Sequence, residues 1–210
     1  MSRVIPEDDI ARVSAAQRRF DEAITELSDA DMRRATALPG WTMGHVLTHV
    51  ARNADSHRRR TAAAARNEMI DQYPGGYEGR EAEIESGAGR AAAELIDDVR
   101  VSAEEMDAAW RAAPESAWSN MTRDVGGRER PLAELVFRRW QELEVHLVDL
   151  GIGITHRDWL DDFVAAWLPR LRGFFPDRPE TPADLDERDE LAWLYGRLQR
   201  NDLPVLPSWG

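Results

Sequence analysis

The sequence predicts a mainly α-helical protein: a four-helix bundle over residues 1–154 and a reduced, helical C-terminal region over residues 155–210. Three observations carry that expectation. Apolar residues recur at three- and four-residue steps in four long stretches, the period of a helix with one buried face. Proline falls at the ends of those stretches and not inside them. At 210 residues and 42% apolar content, the chain suits one domain with a modest appendage and a sizeable core.

Pro6 opens the first stretch, in which Ile10, Val13, Phe20, Ile24 and Leu27 fall on one stripe. The segment from Ser28 to Gly40 closes with Leu38, Pro39 and Gly40 and reads as a connecting loop. Thr42 is placed to cap a second helix that runs through Val46, Leu47 and Val50 to about Asn67. The Tyr73-Pro74-Gly75-Gly76-Tyr77 segment then breaks the pattern. A third helix is expected from about Arg80 to Ala112, with Ile84, Ala88, Leu95, Val99 and Met106 on one face and Pro114 ending it. The segment from Trp118 to Arg130, which contains Asp124, Val125, Gly126 and Gly127, reads as irregular or as a short hairpin. Pro131 suits the start of a fourth helix through Leu135, Leu143 and Leu147 to Leu150, stopped by Gly151. Beyond Thr155, two further helices separated by Pro176 to Pro182 lead to a proline-rich tail, Leu203 to Trp209.

Composition narrows the chemistry. The chain has no cysteine, so disulfides and thiolate ligands are excluded and any metal must be held by histidine and carboxylate. A net charge of −12 argues against nucleic acid as a partner, where a basic footprint is expected. The N-terminus has no apolar signal region and no stretch is long enough to span a membrane, so the expected location is cytoplasmic. The arginine run Arg58, Arg59, Arg60 reads as a solvated helix face, and His57 and His156 read as surface histidines.

The fourth helix contains Trp140-Gln141-Glu142-Leu143-Glu144-Val145-His146. Glu142 and His146 are four apart and share a face, beside Arg139, Leu143 and Leu150, whereas Glu144 points elsewhere. The second helix offers His45 and His49, also four apart, and spacing alone leaves both open. Two imidazoles and one carboxylate on facing helices suit a three-ligand catalytic zinc with an open position. On spacing alone, a surface ion pair or a satisfied core histidine is the commoner reading of such a pair.

At these residues the chain resembles the mycothiol-dependent maleylpyruvate isomerase family, within the DinB-like metalloprotein superfamily. The resemblance rests on the segment from Leu38 to Ala54, which reads LPGWTMGHVLTHVARNA, and on the segment from Glu142 to Gly151, which reads ELEVHLVDLG; weaker matches are Arg80 to Ile84 and Ala117-Trp118. It implies a DinB-like four-helix bundle with His49, Glu142 and His146 as ligands of Zn2+ or another divalent metal. It further implies mycothiol, the small thiol of actinobacteria, as a metal-activated thiolate that isomerises maleylpyruvate or a similar enoyl-pyruvate. Arg80 and Arg197 are then candidates for binding the substrate carboxylates, and Asn53 and Trp41 for contacting the thiol. Asp149, one turn beyond His146, is a candidate acceptor behind the ligand. The expected partners are a small thiol and a small electrophile, with no nucleic acid and no membrane, in a monomer or homodimer. A mycothiol S-transferase that conjugates the thiol to another electrophile is the alternative enzyme. A non-catalytic bundle is the alternative from another class.

Overall fold

The computed structural model describes residues 5–175, 178, 180–198 and 200–206. Pro176 and the end of the proline-rich tail, Pro207 to Trp209, lie outside the described residues. The chain divides into two compact units, Met1–Leu150 and Gly151–Gly210.

The first unit holds α1 (Glu7–Ile24), α2 (Asp29–Met32), α3 (Met43–Ala65), α4 (Gly76–Gly87), α5 (Ala92–Ala112) and α6 (Leu132–Asp149). A two-stranded antiparallel hairpin, β1 (Met121–Arg123) and β2 (Glu129–Pro131), precedes α6, with Thr122 opposite Arg130. The expected mainly α bundle is therefore present, and its four long helices are α1, α3, α5 and α6. α3 lies mainly against α5 and α1 against α6, while α3 also meets α4 and α6. α1 buries Ile10, Val13, Ala16, Phe20 and Ile24, the stripe its periodicity marks. α6 is bounded by Pro131 before it and by Gly151 after it, whose positive φ of 64° turns the chain out of the helix.

Three local expectations in the first unit need correction. The Ser28–Gly40 segment is not all loop, because α2 forms within it. The single third helix is two, α4 and α5, separated at Ala88 to Ala91. That break has a tertiary cause: Asp29 Oδ1 accepts from the Ala92 backbone N–H at 2.7 Å, capping α5 from a distant part of the sequence. Local periodicity cannot register such a cap. Third, His57 and Arg60 are each only 2% exposed. α3 is covered on several sides, so His57 lies edge-on against Trp110 of α5 at 5.8 Å, and Arg60 bonds back to Ser56. The solvated-face reading holds for Arg58, whose side chain is 44% exposed, but not for Arg60.

The break between α4 and α5 brings the Ala88 carbonyl against Gly44, near the start of α3, so closely that a Cβ at Gly44 would collide with it. Gly44→Ala is therefore expected to destabilise the bundle by about 1–3 kcal/mol, the usual cost of overpacking. A urea midpoint equal to that of the wild type would refute this.

The second unit contains α7 (Asp161–Phe174) and α8 (Glu187–Leu194), as expected for a helical C-terminal region. Trp159 packs against Phe163 and Tyr195, and the Asp186 carboxylate caps α8 by accepting from the Asp189 N–H at 2.9 Å. His156 is half-buried and bonded to Asp189 at 2.9 Å, which corrects its surface reading. Among the described residues no helix is long and apolar enough to cross a membrane.

Candidate metal centre

α3 and α6 bring His49, Glu142 and His146 together. Glu142 Oε2 lies 3.0 Å from His49 Nε2 and 3.3 Å from His146 Nε2, and one potential ligand atom from each residue falls within 4.8 Å of the others. Zinc bonds of about 2.0–2.1 Å set the edge of a coordination tetrahedron at about 3.3 Å. The two short separations match that edge, and two imidazoles with a carboxylate are a donor set zinc accepts. The residues present therefore fit a divalent cation.

Both imidazoles are held from behind. His146 Nδ1 lies 2.9 Å from Asp149 Oδ2, a buried carboxylate one turn on, which turns Nε2 towards the cluster. The His49 ring meets the Trp41 ring edge-on at 5.5 Å and the His146 ring at 4.8 Å. Arg80 Nη2 approaches His49 Nδ1 at 3.4 Å, and its guanidinium lies 5.7 Å from the centre of the Trp41 ring. Side-chain exposure rises from 5% at His49 to 13% at His146 and 24% at Glu142, so the cluster opens on the Glu142 side.

Burial and hydrogen bonding divide the charges. Burial pulls His49 down to about 4, against the opposing pull of Glu142. Burial alone would lift Glu142, but hydrogen bonds from His146 and His49 hold it well below its ordinary value. Burial also opposes charge on His146, yet its bonds to Asp149 and Glu142 raise it above its ordinary value. Of the two imidazoles His146 thus holds a proton more tightly, and there a proton and an entering cation compete. Asp149→Ala, which removes the orienting acceptor, is expected to weaken metal affinity about 10–100-fold in chelator competition. Unchanged affinity would show that Asp149 serves only the helix end.

The alternative ligands on the two helices, His45 and Glu144, are committed elsewhere. His45 Nδ1 accepts from the Thr42 backbone N–H at 3.1 Å and its Nε2 meets Glu85 at 3.1 Å, so His45 caps α3. Glu144 faces α1, where it accepts from Arg19 Nη1 at 2.7 Å. Asn53 is buried, and its Oδ1 accepts from Arg139 Nη1 at 2.8 Å. Arg197 belongs to the second unit, where its Nη1 donates to the Tyr195 carbonyl at 2.6 Å. Sequence reasoning underrated Arg139. This arginine is fully buried one turn before Glu142, and it donates to the Val50 carbonyl at 2.8 Å and to Gln17 Oε1 at 3.2 Å. It thereby ties α1, α3 and α6 together. The signal was present: an arginine on the apolar stripe of α6 needs acceptors inside the bundle.

A helical bundle with two histidines and a glutamate converging from facing helices defines a protein with a candidate bundle-type metal centre. The sequence pattern described as the mycothiol maleylpyruvate isomerase N-terminal domain matches residues 13–151, and the chain belongs to this family of enzymes. Among solved structures, the chain is similar to a mycothiol-dependent maleylpyruvate isomerase, with a TM-score of 0.86, 21% identity and 100% of both chains covered. A histidine-to-alanine variant of that enzyme gives a TM-score of 0.85, again at 21% identity over 100% of both chains. Comparison with curated proteins finds no match.

Proposed function

We propose that the protein is a zinc-dependent enzyme that uses mycothiol to isomerise maleylpyruvate or a similar enoyl-pyruvate. The observation that carries this reading is the convergence of His49, Glu142 and His146 within 4.8 Å, with Arg80 beside them. A divalent cation held by these residues would stabilise a small thiol as its thiolate near neutral pH. The chain has no cysteine, so the thiol must come from a small molecule.

The protein's residues bind and orient. Asp149 sets the tautomer of His146 by accepting its Nδ1 proton. Trp41 walls the His49 side of the centre and supports the Arg80 guanidinium. Arg80 can donate to His49 only while Nδ1 is unprotonated. When Nε2 serves as a ligand the proton sits on Nδ1, and Arg80 is left to pair with a carboxylate of the substrate. Burial of His49 and His146 keeps water from the two imidazoles. The thiol sulfur adds to one alkene carbon, the remaining single bond rotates, and elimination returns the thiol with the trans product.

The test incubates metal-loaded protein with mycothiol and maleylpyruvate while following both product and free thiol. Isomerisation with the thiol recovered unchanged supports the reading. Stoichiometric loss of thiol would replace it with conjugation, the S-transferase reaction. Absence of both reactions would overturn it.

A further inference from the structure

We propose that Arg138 is the anchor for a carboxylate of the anionic substrate at this centre, a role that rests on the function proposed above and names a specificity-determining residue within it.

Residues 138, 142 and 146 occupy three successive turns of one face of α6, so Arg138 shares the stripe of Glu142 and His146. One turn separates Arg138 from Glu142, roughly 6 Å along the helix axis, a distance the long arginine side chain covers. Arg138 is half-buried, and among the described residues it makes no hydrogen bond or ion pair. Its neighbours are all engaged. Arg139 is bonded to Val50, Asn53 and Gln17, and Arg80, which leans on Trp41, is already assigned to the other carboxylate of the substrate. Arg130 is paired with Asp124 at 2.6 Å and with Glu134 at 3.7 Å.

The charges that act most strongly on Arg138 are those of Arg130, Asp124, Glu134 and Glu142. Asp124 and Glu134 are already matched by Arg130, and Glu142 is turned to the two histidines. Arg138 thus carries an uncompensated positive charge partly out of water, which costs free energy unless an anion completes it. The charges of the centre point the same way. With a divalent cation present, Arg80, Arg138 and Arg139 outweigh Glu142 and Asp149, and a thiolate together with a dicarboxylate would restore neutrality. A guanidinium fork grips a carboxylate through two parallel N–H···O bonds and so selects a planar carboxylate from a mere negative charge. The ligand class is therefore a short carboxylate or dicarboxylate whose reacting carbon lies a few bonds from the carboxyl group.

The experiment measures binding of maleate to the metal-loaded protein by calorimetry, for wild type, Arg138→Gln and Arg138→Lys, with dimethyl maleate as the uncharged control. Metal content and melting temperature are recorded for each. The expected result is maleate binding by the wild type, at least tenfold weaker binding by Arg138→Gln, and an intermediate value for Arg138→Lys. Dimethyl maleate should not distinguish the three. Equal maleate affinity in wild type and Arg138→Gln overturns the proposal, as does failure of the metal-loaded wild type to bind maleate. Should Arg138→Gln lose its metal or its fold, Arg138→Lys decides: a lysine variant as tight as the wild type would refute the fork. Binding is read without turnover, so loss of the isomerase reading and loss of the anchor remain distinguishable.

Discussion

His49→Ala is expected to reduce bound metal from one ion per chain to less than a tenth, and mycothiol-dependent turnover by on the order of 10³-fold or more. Removing an outer partner of a ligand typically costs about 10–100-fold in affinity, and removing one of three direct ligands costs more. The histidine one turn earlier provides the contrast. His45→Ala should leave metal content intact while weakening the start of α3 by about 1 kcal/mol, because His45 accepts from the Thr42 N–H. Metal analysis after gel filtration, with melting curves for both variants, checks this pair. A His49→Ala protein that retains its metal while His45→Ala loses it would reverse the assignment. Metal affinity should also fall as pH is lowered through the raised pKa of His146, because the cation competes there with a proton. His49, pulled down to about 4, stays neutral over that range and contributes nothing to the slope.

The largest expected stability effect is at Arg139. Arg139→Ala removes the donor shared by the Val50 carbonyl, Asn53 Oδ1 and Gln17 Oε1, leaves the buried Asn53 amide short of a partner, and opens a cavity where α1, α3 and α6 meet. Unsatisfied buried acceptors cost about 1–3 kcal/mol each, and incomplete collapse adds to that. A total loss on the order of 4 kcal/mol is expected, read as a lowered urea midpoint with unchanged slope. Arg139→Lys, which keeps a donor but not the fork, should lose less. A loss below about 1 kcal/mol for the alanine variant would mean that the three acceptors find other donors.

The long helices were legible because their apolar stripes are regular: Ile10, Val13, Phe20 and Ile24 on α1 are all buried as the period requires. The choice of Glu142 over Glu144 was legible for the same reason, since two residues along a helix turn a side chain to the opposite side, here towards Arg19. The choice between His45 and His49 was not. Both lie on one face, and what separates them is the capping bond to Thr42 and the position of α6, neither of which spacing encodes. The resemblance supplied what spacing could not. The division of the third helix was hidden because one cap at the start of α5 comes from Asp29, a residue that meets Ala92 only once the chain has folded. His57 was misjudged because a polar residue with one apolar partner, Trp110, leaves no pattern in the sequence.

All three convergent side chains project from the middle or end of long helices, and none comes from a loop. The reacting centre and its surroundings are thus assigned to different parts of the chain. The turn from Arg66 to Gly75 and the β1–β2 hairpin can change in length or composition while the helix registers that aim His49, Glu142 and His146 stay the same. One scaffold can in this way keep its reactive core through descent while its choice of electrophile drifts, and laboratory recombination of those connecting segments is the natural route to redirecting it.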